Sequence, residues 1–138
     1  VECTIEEYLR LAAPEATVAE VRKALEYVGL DEVIDNMEEG IATRISVLGA
    51  PLQPLEFLLL KLAAAVLSKP QVLVINQHFD AIPQSIKVRL LERIDRLDCT
   101  VLYFTNTPLK GMFNATLNLQ DVLYVEDSVA DNKGEGHE

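Results

Sequence analysis

The sequence runs to 138 residues, 49% of them apolar and 25% charged, with 12 Lys and Arg against 22 Asp and Glu for a net charge of −10. That is one domain's worth of chain with ample apolar content for a core, and its mean hydropathy of +0.15 excludes a largely disordered polymer. The longest apolar run, residues 55–67, is broken by Glu56 and Lys61 and falls short of the ~20 residues a membrane-spanning helix needs. An acidic chain without a basic stripe is also ill suited to phosphate backbones, so no nucleic-acid partner and no direct membrane insertion are expected.

In chain order, the start at Val1, without Met or an apolar leader, sets the expectation of a piece cut from something longer. Cys3 and Cys99 have neither metal-ligand nor disulfide-scaffold spacing, which points to free thiols in a reducing, cytoplasmic setting. Thr4-x-x-Glu7 and Thr17-x-x-Glu20 have capping-box spacing ahead of apolar-periodic runs. The second run, Val18, Val21, Leu25 and Val28, predicts a helix closed by Gly29. An acidic block, Asp31 to Glu39, opens a short helix, and a loop follows from about Met37 to Pro51. A strong helix runs from Pro54 to Leu67, with Pro54 in the first turn where no N–H is needed.

Past Lys69-Pro70, the run Val72-Leu73-Val74-Ile75 reads as a strand buried on both faces, as in a parallel sheet. Residues 84–97 form an amphipathic helix, with Ile86, Leu90, Ile94 and Leu97 inward and Lys87, Arg89, Arg93 and Arg96 outward. A second buried strand, Thr100 to Phe104, completes a βαβ unit. A last strand over Val122 to Val125 leads into a hairpin, and residues 132–138 form a disordered tail. The fold class is therefore α/β: an all-helical region to about residue 68, then a partial parallel sheet with flanking helices and a C-terminal hairpin. Ligands of such sheets sit beyond the carboxyl ends of the strands, here Asn76-Gln77-His78 and Thr105-Asn106.

This order of features resembles the second half of an ATP-binding cassette (ABC) transporter ATPase domain. Residues 4–9 are similar to the opening of that family's helical subdomain, and residues 21–34 and 39–45 to its continuation. Gly49-Ala50-Pro51-Leu52 leads to the place of the LSGGQ signature. Val72 to Ile75 is similar to the Walker B strand, residues 100–107 to the strand and switch of the H-loop, and residues 122–127 to the late strand and turn. The resemblance implies a helical subdomain over residues 1–68 and a partial P-loop NTPase core over residues 69–131.

It also implies that the chemistry is altered at each diagnostic position. Where the signature stands, this chain has Leu52-Gln53-Pro54-Leu55-Glu56, which removes the glycines that let backbone N–H groups approach a phosphate. Asn76 replaces the Walker B aspartate that organises Mg²⁺, Gln77 the catalytic glutamate and Asn106 the H-loop histidine; Asp80-Ala81-Ile82-Pro83 stands in place of the D-loop SALD. Neutral amides neither draw a hard cation nor take a proton from water. No GxxxxGK[ST] occurs. The expectation is a degenerate, non-hydrolytic cassette fragment with no catalytic residue, no bound metal and no cofactor of its own, although the family uses ATP and Mg²⁺.

Three residues are candidates for an interface: Phe57 and Leu58, apolar where the family is commonly polar, and Asp80, weighed against a plain solvated loop acid. His78 is read as a surface residue, and the acidic block as a solvated helix face or a docking surface for a membrane partner. The expected partners are the remaining half of the ATPase domain, a transporter membrane domain or another cassette, with a homodimer also expected because the strands at Val72 and Thr100 leave an open edge. Such partners set the location at the inner face of the membrane. Two other readings stay open: a composite nucleotide-binding ATPase whose Walker A lies upstream, and a small receiver-like regulatory domain, which Asn76-Gln77 disfavours for want of clustered acids.

Overall fold

The computed structural model of the protein describes residues 2–107, 109 and 111–116. Its first two helices begin as their sequences dictate. The Thr4 and Thr17 hydroxyls accept from the N–H groups of Glu7 and Glu20 (3.1 and 3.2 Å), and those glutamates accept in return from the threonine N–H groups (2.9 and 3.0 Å). Both capping boxes satisfy donors that the helix cannot. Helix α1 follows over Ile5–Ala12 and α2 over Val18–Val28, and Gly29 ends α2 in the left-handed region at φ 80°. The short acidic helix α3 spans Asp31–Asp35, and α4 spans Pro54–Leu67, both as the sequence predicts.

Helix α4 packs against α1 and α2. Leu59, Leu60, Leu62, Ala63, Ala64 and Leu67 are all buried, more than one face of the helix, so α4 is the central rod of this layer. Ile5 and Leu9 of α1 and Val21, Leu25 and Val28 of α2 close on it, each with 3% exposure or less.

The N-terminal region is not all-helical as expected. Cys3–Thr4 (β1) and Arg44–Ile45 (β2) pair antiparallel, Cys3 opposite Ile45 and Thr4 opposite Arg44, and Ile5 N–H continues to Thr43 O at 3.0 Å. Two-residue strands carry no readable alternation, but the pairing ties the start of α1 to the long loop and buries Ile45. A 3₁₀ turn at Gly40–Ala42 precedes β2.

Strands β3 (Val72–Ile75) and β4 (Thr100–Tyr103) pair in parallel, Val72 opposite Thr100 and Ile75 opposite Tyr103. They are joined through a 3₁₀ segment, Gln77–Ala81, and helix α5, Gln84–Asp95. The expectation of burial on both faces is corrected. Leu73 and Ile75 are buried at 3% and 5%, whereas Val72 and Val74 are 52% and 57% exposed and Leu102 and Phe104 48% and 46%. Period-2 geometry sends alternate side chains to opposite faces, and among the described residues only one face is covered.

Helix α5 ends two residues earlier than the sequence suggests, and one of its cations faces inward. Lys87, expected outside, is 6% exposed, while Ile86 and Leu97 are only half-buried. Its long methylene stem packs with the apolar face while the ammonium bears on Asp80. Arg93, also expected outside, is half-buried and its guanidinium donates to the carbonyl of Tyr27 in α2.

All of these elements belong to one compact unit, Val1–Pro108. In the second, Leu109–Glu138, the described residues form turns around Gly111 at φ 82°. The strand expected at Val122 to Val125, its hairpin and the tail at 132–138 lie outside the described residues. Among the described residues no helix is long and apolar enough to cross a membrane.

Candidate functional site at the strand ends

Parallel register brings the C-terminal ends of β3 and β4 side by side, so residues about 30 apart in sequence meet there. Asn76, first after β3, is extended and caps the 3₁₀ segment, its Oδ1 accepting from His78 N–H at 2.9 Å. Gln77 Oε1 accepts from Asn106 Nδ2 at 3.3 Å. The sequence-predicted trio Asn76, Gln77 and Asn106 therefore gathers at one exposed place, held by local amide contacts.

Asp80 is not a solvated loop acid; that reading is corrected. It is half-buried, Oδ1 accepts from Tyr103 Oη and Thr105 Oγ1, both at 2.5 Å, and Oδ2 accepts from the N–H of Asn106 at 2.8 Å. Thr105 Oγ1 in turn accepts from Thr107 N–H at 2.9 Å. Burial alone would raise the Asp80 pKa, but the hydrogen bonds from Thr105, Tyr103 and Asn106, with the Lys87 charge, outweigh it and hold the carboxyl below its ordinary value. Burial and the Asp80 carboxylate push the Tyr103 phenol up to about 12. Beneath them the ring of Phe79, 3% exposed, meets Tyr103 edge-on with centroids 5.6 Å apart.

These donors do not fit Mg²⁺. A hard cation takes several oxygens with free lone pairs, at least one from a carboxylate. Here both oxygens of Asp80, the nearby acid among the described residues, face hydrogen-bond donors, and the amide oxygens of Asn76 and Gln77 are engaged as well. Among the described residues no three His, Cys, Asp or Glu side chains cluster as a metal site.

The signature-like segment is held by a separate set of contacts. Leu52 is buried at 5% and Gln53 is the N-cap of α4. The Glu56 carboxylate accepts from Gln53 N–H at 2.9 Å. A carboxylate thus occupies the positive end of the helix dipole, where a phosphate would otherwise be drawn. Pro54 supplies no N–H, and Leu55 is half-buried.

Of the interface candidates, Phe57 and Leu58 are both half-buried. Phe57 packs on Gly49, which has φ 93° and whose hypothetical Cβ would stand 2.5 Å from Phe57 Cγ. Tyr8 flanks the ring at 5.9 Å between centroids, and Lys61 Nζ lies 4.6 Å above it. The exposed apolar side chains are elsewhere: Leu11 at the end of α1, Val18 at the start of α2, Val47 and Leu48 on the loop before α4, and the open face of β3 and β4. Sequence reading missed Lys87, Tyr103 and Thr105 as partners of Asp80. The register of two parallel strands is the signal that could have found them, since it sets Tyr103 level with Ile75 and hence near the 3₁₀ turn.

No family model matches the chain. It is 31% identical over 94 residues to an uncharacterized ABC transporter ATP-binding protein, YknV, of Bacillus subtilis (strain 168), covering 68% of this chain and 16% of that protein. It is 28% identical over 103 residues to the SPbeta prophage-derived sublancin-168-processing and transport ATP-binding protein SunT of the same organism, covering 74% of this chain and 15% of that protein. A bacterial Atm1-family ABC exporter solved with ATP bound shares its fold over 76% of this chain and 19% of that one, at a TM-score of 0.70 and 18% identity. In sequence and in fold, the chain corresponds to part of an ABC transporter ATP-binding domain, an α/β ABC ATPase-like architecture. It spans about a sixth of the length of these curated relatives.

Proposed function

We propose that this chain is the signature-to-H-loop part of a degenerate ABC ATP-binding domain, a structural or regulatory element of a transport or secretion system that does not hydrolyse ATP. In this reading residues 1–68 are the helical subdomain and residues 69–131 a partial ATPase core. The observation that carries it is the strand-end chemistry: Asn76, Gln77 and Asn106 are neutral amides with hydrogen bonds inside the chain, and Asp80, the acid there among the described residues, already accepts from three donors. Water cannot be deprotonated by an amide, and among the described residues no strand-end carboxylate is free of hydrogen-bond donors to receive Mg²⁺. At the second half-site Glu56 and Pro54 oppose anion binding at the start of α4.

The partners in this reading are the rest of an ATP-binding domain, which would cover the open face of β3 and β4, and a membrane domain or second cassette that would hold the assembly at the inner membrane face. The test is isothermal calorimetry with ATP and Mg²⁺, and phosphate release, on this chain and on its full-length parent. The expected result is no turnover above background in either; magnesium-dependent hydrolysis by the parent would sink the proposal. Nucleotide binding without turnover would favour instead a composite site completed by an upstream phosphate loop.

A further inference from the structure

We propose that Asp80 is a latch that keeps the strand-end loop in one arrangement without metal or nucleotide. One carboxylate spans three elements. It sits at the end of the 3₁₀ segment after β3, takes the phenol of Tyr103 at the end of β4, and takes the hydroxyl and backbone donors of the 105–106 turn beyond it. These contacts bridge 23 to 26 residues of sequence, so they close a tertiary loop.

Three further features brace the latch. Thr107 N–H bonds back to Thr105 Oγ1, so the turn that presents donors to Asp80 is itself fixed. The Gln77–Asn106 amide pair runs alongside, joining the same two loops. Below, Phe79 supports the Tyr103 ring edge-on, and Lys87, 6% exposed on α5, adds a positive charge that favours the carboxylate. Among the described residues, the charge that bears on Asp80 is that of Lys87, and the hydrogen-bond partners are neutral donors. Charge-assisted hydrogen bonds of this kind are the strong ones, and partial burial keeps water from competing.

The consequence is a strand-end region whose shape is set by the chain. The turn carrying Asn106 is shut against the 3₁₀ segment constitutively, so a partner that docks on this end meets the same surface whatever the nucleotide state of the assembly. This goes beyond the non-hydrolytic reading and holds whether or not the parent turns over ATP; phosphate release by the parent would overturn that reading and leave the latch standing.

The test is amide hydrogen exchange, resolved by residue, on the whole chain. In the wild type the Asn106 amide is expected to be protected, with no change on adding millimolar MgCl₂. Asp80→Ala should speed its exchange by about tenfold or more, the scale of a lost bond to a charged acceptor, while amides of α2 and α4 keep their rates. Thr105→Val and Tyr103→Phe, which leave the carboxylate in place, should give smaller increases, and Tyr103→Phe should add nothing in the Asp80→Ala background. Unchanged Asn106 exchange in Asp80→Ala, or Asn106 protection that appears in the wild type only with Mg²⁺, would overturn the latch. If Asp80→Ala unfolds globally, the Thr105→Val and Tyr103→Phe rates decide: no change in either also overturns it.

Discussion

The helical layer and the two-stranded sheet solve the same problem to different degrees. Helices α1, α2 and α4 bury their apolar side chains against one another, with Ile5, Leu9, Val21, Leu60 and Ala63 at 0% exposure. The sheet buries Leu73 and Ile75 but leaves Val72, Val74, Leu102 and Phe104 about half in water. One region is closed by its own residues; among the described residues the other is covered on one side and held at its end by polar contacts. A continuous run of β-branched residues therefore reports the burial a strand is built for, which a chain of this extent need not supply.

The sharpest way to break this contrast is to cut the helical core. Leu60→Ala should cost about 2–5 kcal/mol, the range for a fully buried leucine, seen as a lower urea midpoint at unchanged slope. The matched cut on the open face, Val74→Ala, should cost well under half of that. Equal losses would mean that the open face is covered in solution.

Gly49→Ala should be the next largest effect. Its φ of 93° disfavours any side chain, and the new Cβ would fall 2.5 Å from Phe57 Cγ and within 2.9 Å of its Cδ2 and Cβ, so about 1–3 kcal/mol is expected. Combining it with Phe57→Ala should recover part of the clash, an interaction a double-mutant cycle on thermal midpoints reads directly.

The latch predicts a pH signature at both ends of the scale. The Tyr103 phenol is raised from 10.0 to about 12, so its contribution is whole below pH 10 and is lost as pH rises toward 12, where the unfolded chain ionises first. Asp80 is shifted the other way: its contribution is present above the ordinary carboxylate range and is lost as pH falls through its lowered value. Tyr103→Phe should flatten the alkaline limb of stability against pH measured by circular dichroism, and Asp80→Asn the acid limb. An unchanged alkaline limb in Tyr103→Phe would mean that its phenol faces water. Smaller again, Thr17→Ala should remove about 1 kcal/mol through the cap of α2 alone.

How much was legible follows the same division. Helices with caps and periodic apolar faces were readable because their determinants are local: Thr4, Thr17, Gly29 and Pro54 each act within one turn. The strands and their parallel pairing were readable from β-branched runs. Lys87 was misplaced because an amphipathic wheel assigns every cation to water and ignores an acid brought from another element. Asp80 was misread for the same reason, since its partners Tyr103, Thr105 and Asn106 lie 23 to 26 residues away and only strand register brings them together. The amide trio was found by position within a family pattern, but the bond between Gln77 and Asn106 rests on geometry that no spacing encodes.

The smallest expected change in stability carries the largest expected change in behaviour. Val74 and Leu102 sit opposite each other on the exposed face of a parallel pair, flanked by Val72 and Phe104, and strand edges left without a neighbour are templates for further pairing. The isolated chain should therefore self-associate through this face as concentration rises. Val74→Lys places an ammonium in water on the open side and should alter the unfolding free energy by no more than about 0.5 kcal/mol, as surface substitutions do, yet shift the light-scattering mass toward that of a single chain. A wild-type chain that stays monomeric at high concentration would mean that two half-exposed valines, a leucine and a phenylalanine are too little apolar surface to drive pairing, and that the contrast between the two regions is one of stability alone. A Val74→Lys chain that loses stability on the scale of Leu60→Ala would mean the opposite: that this side chain is buried in solution and the sheet already has its second cover.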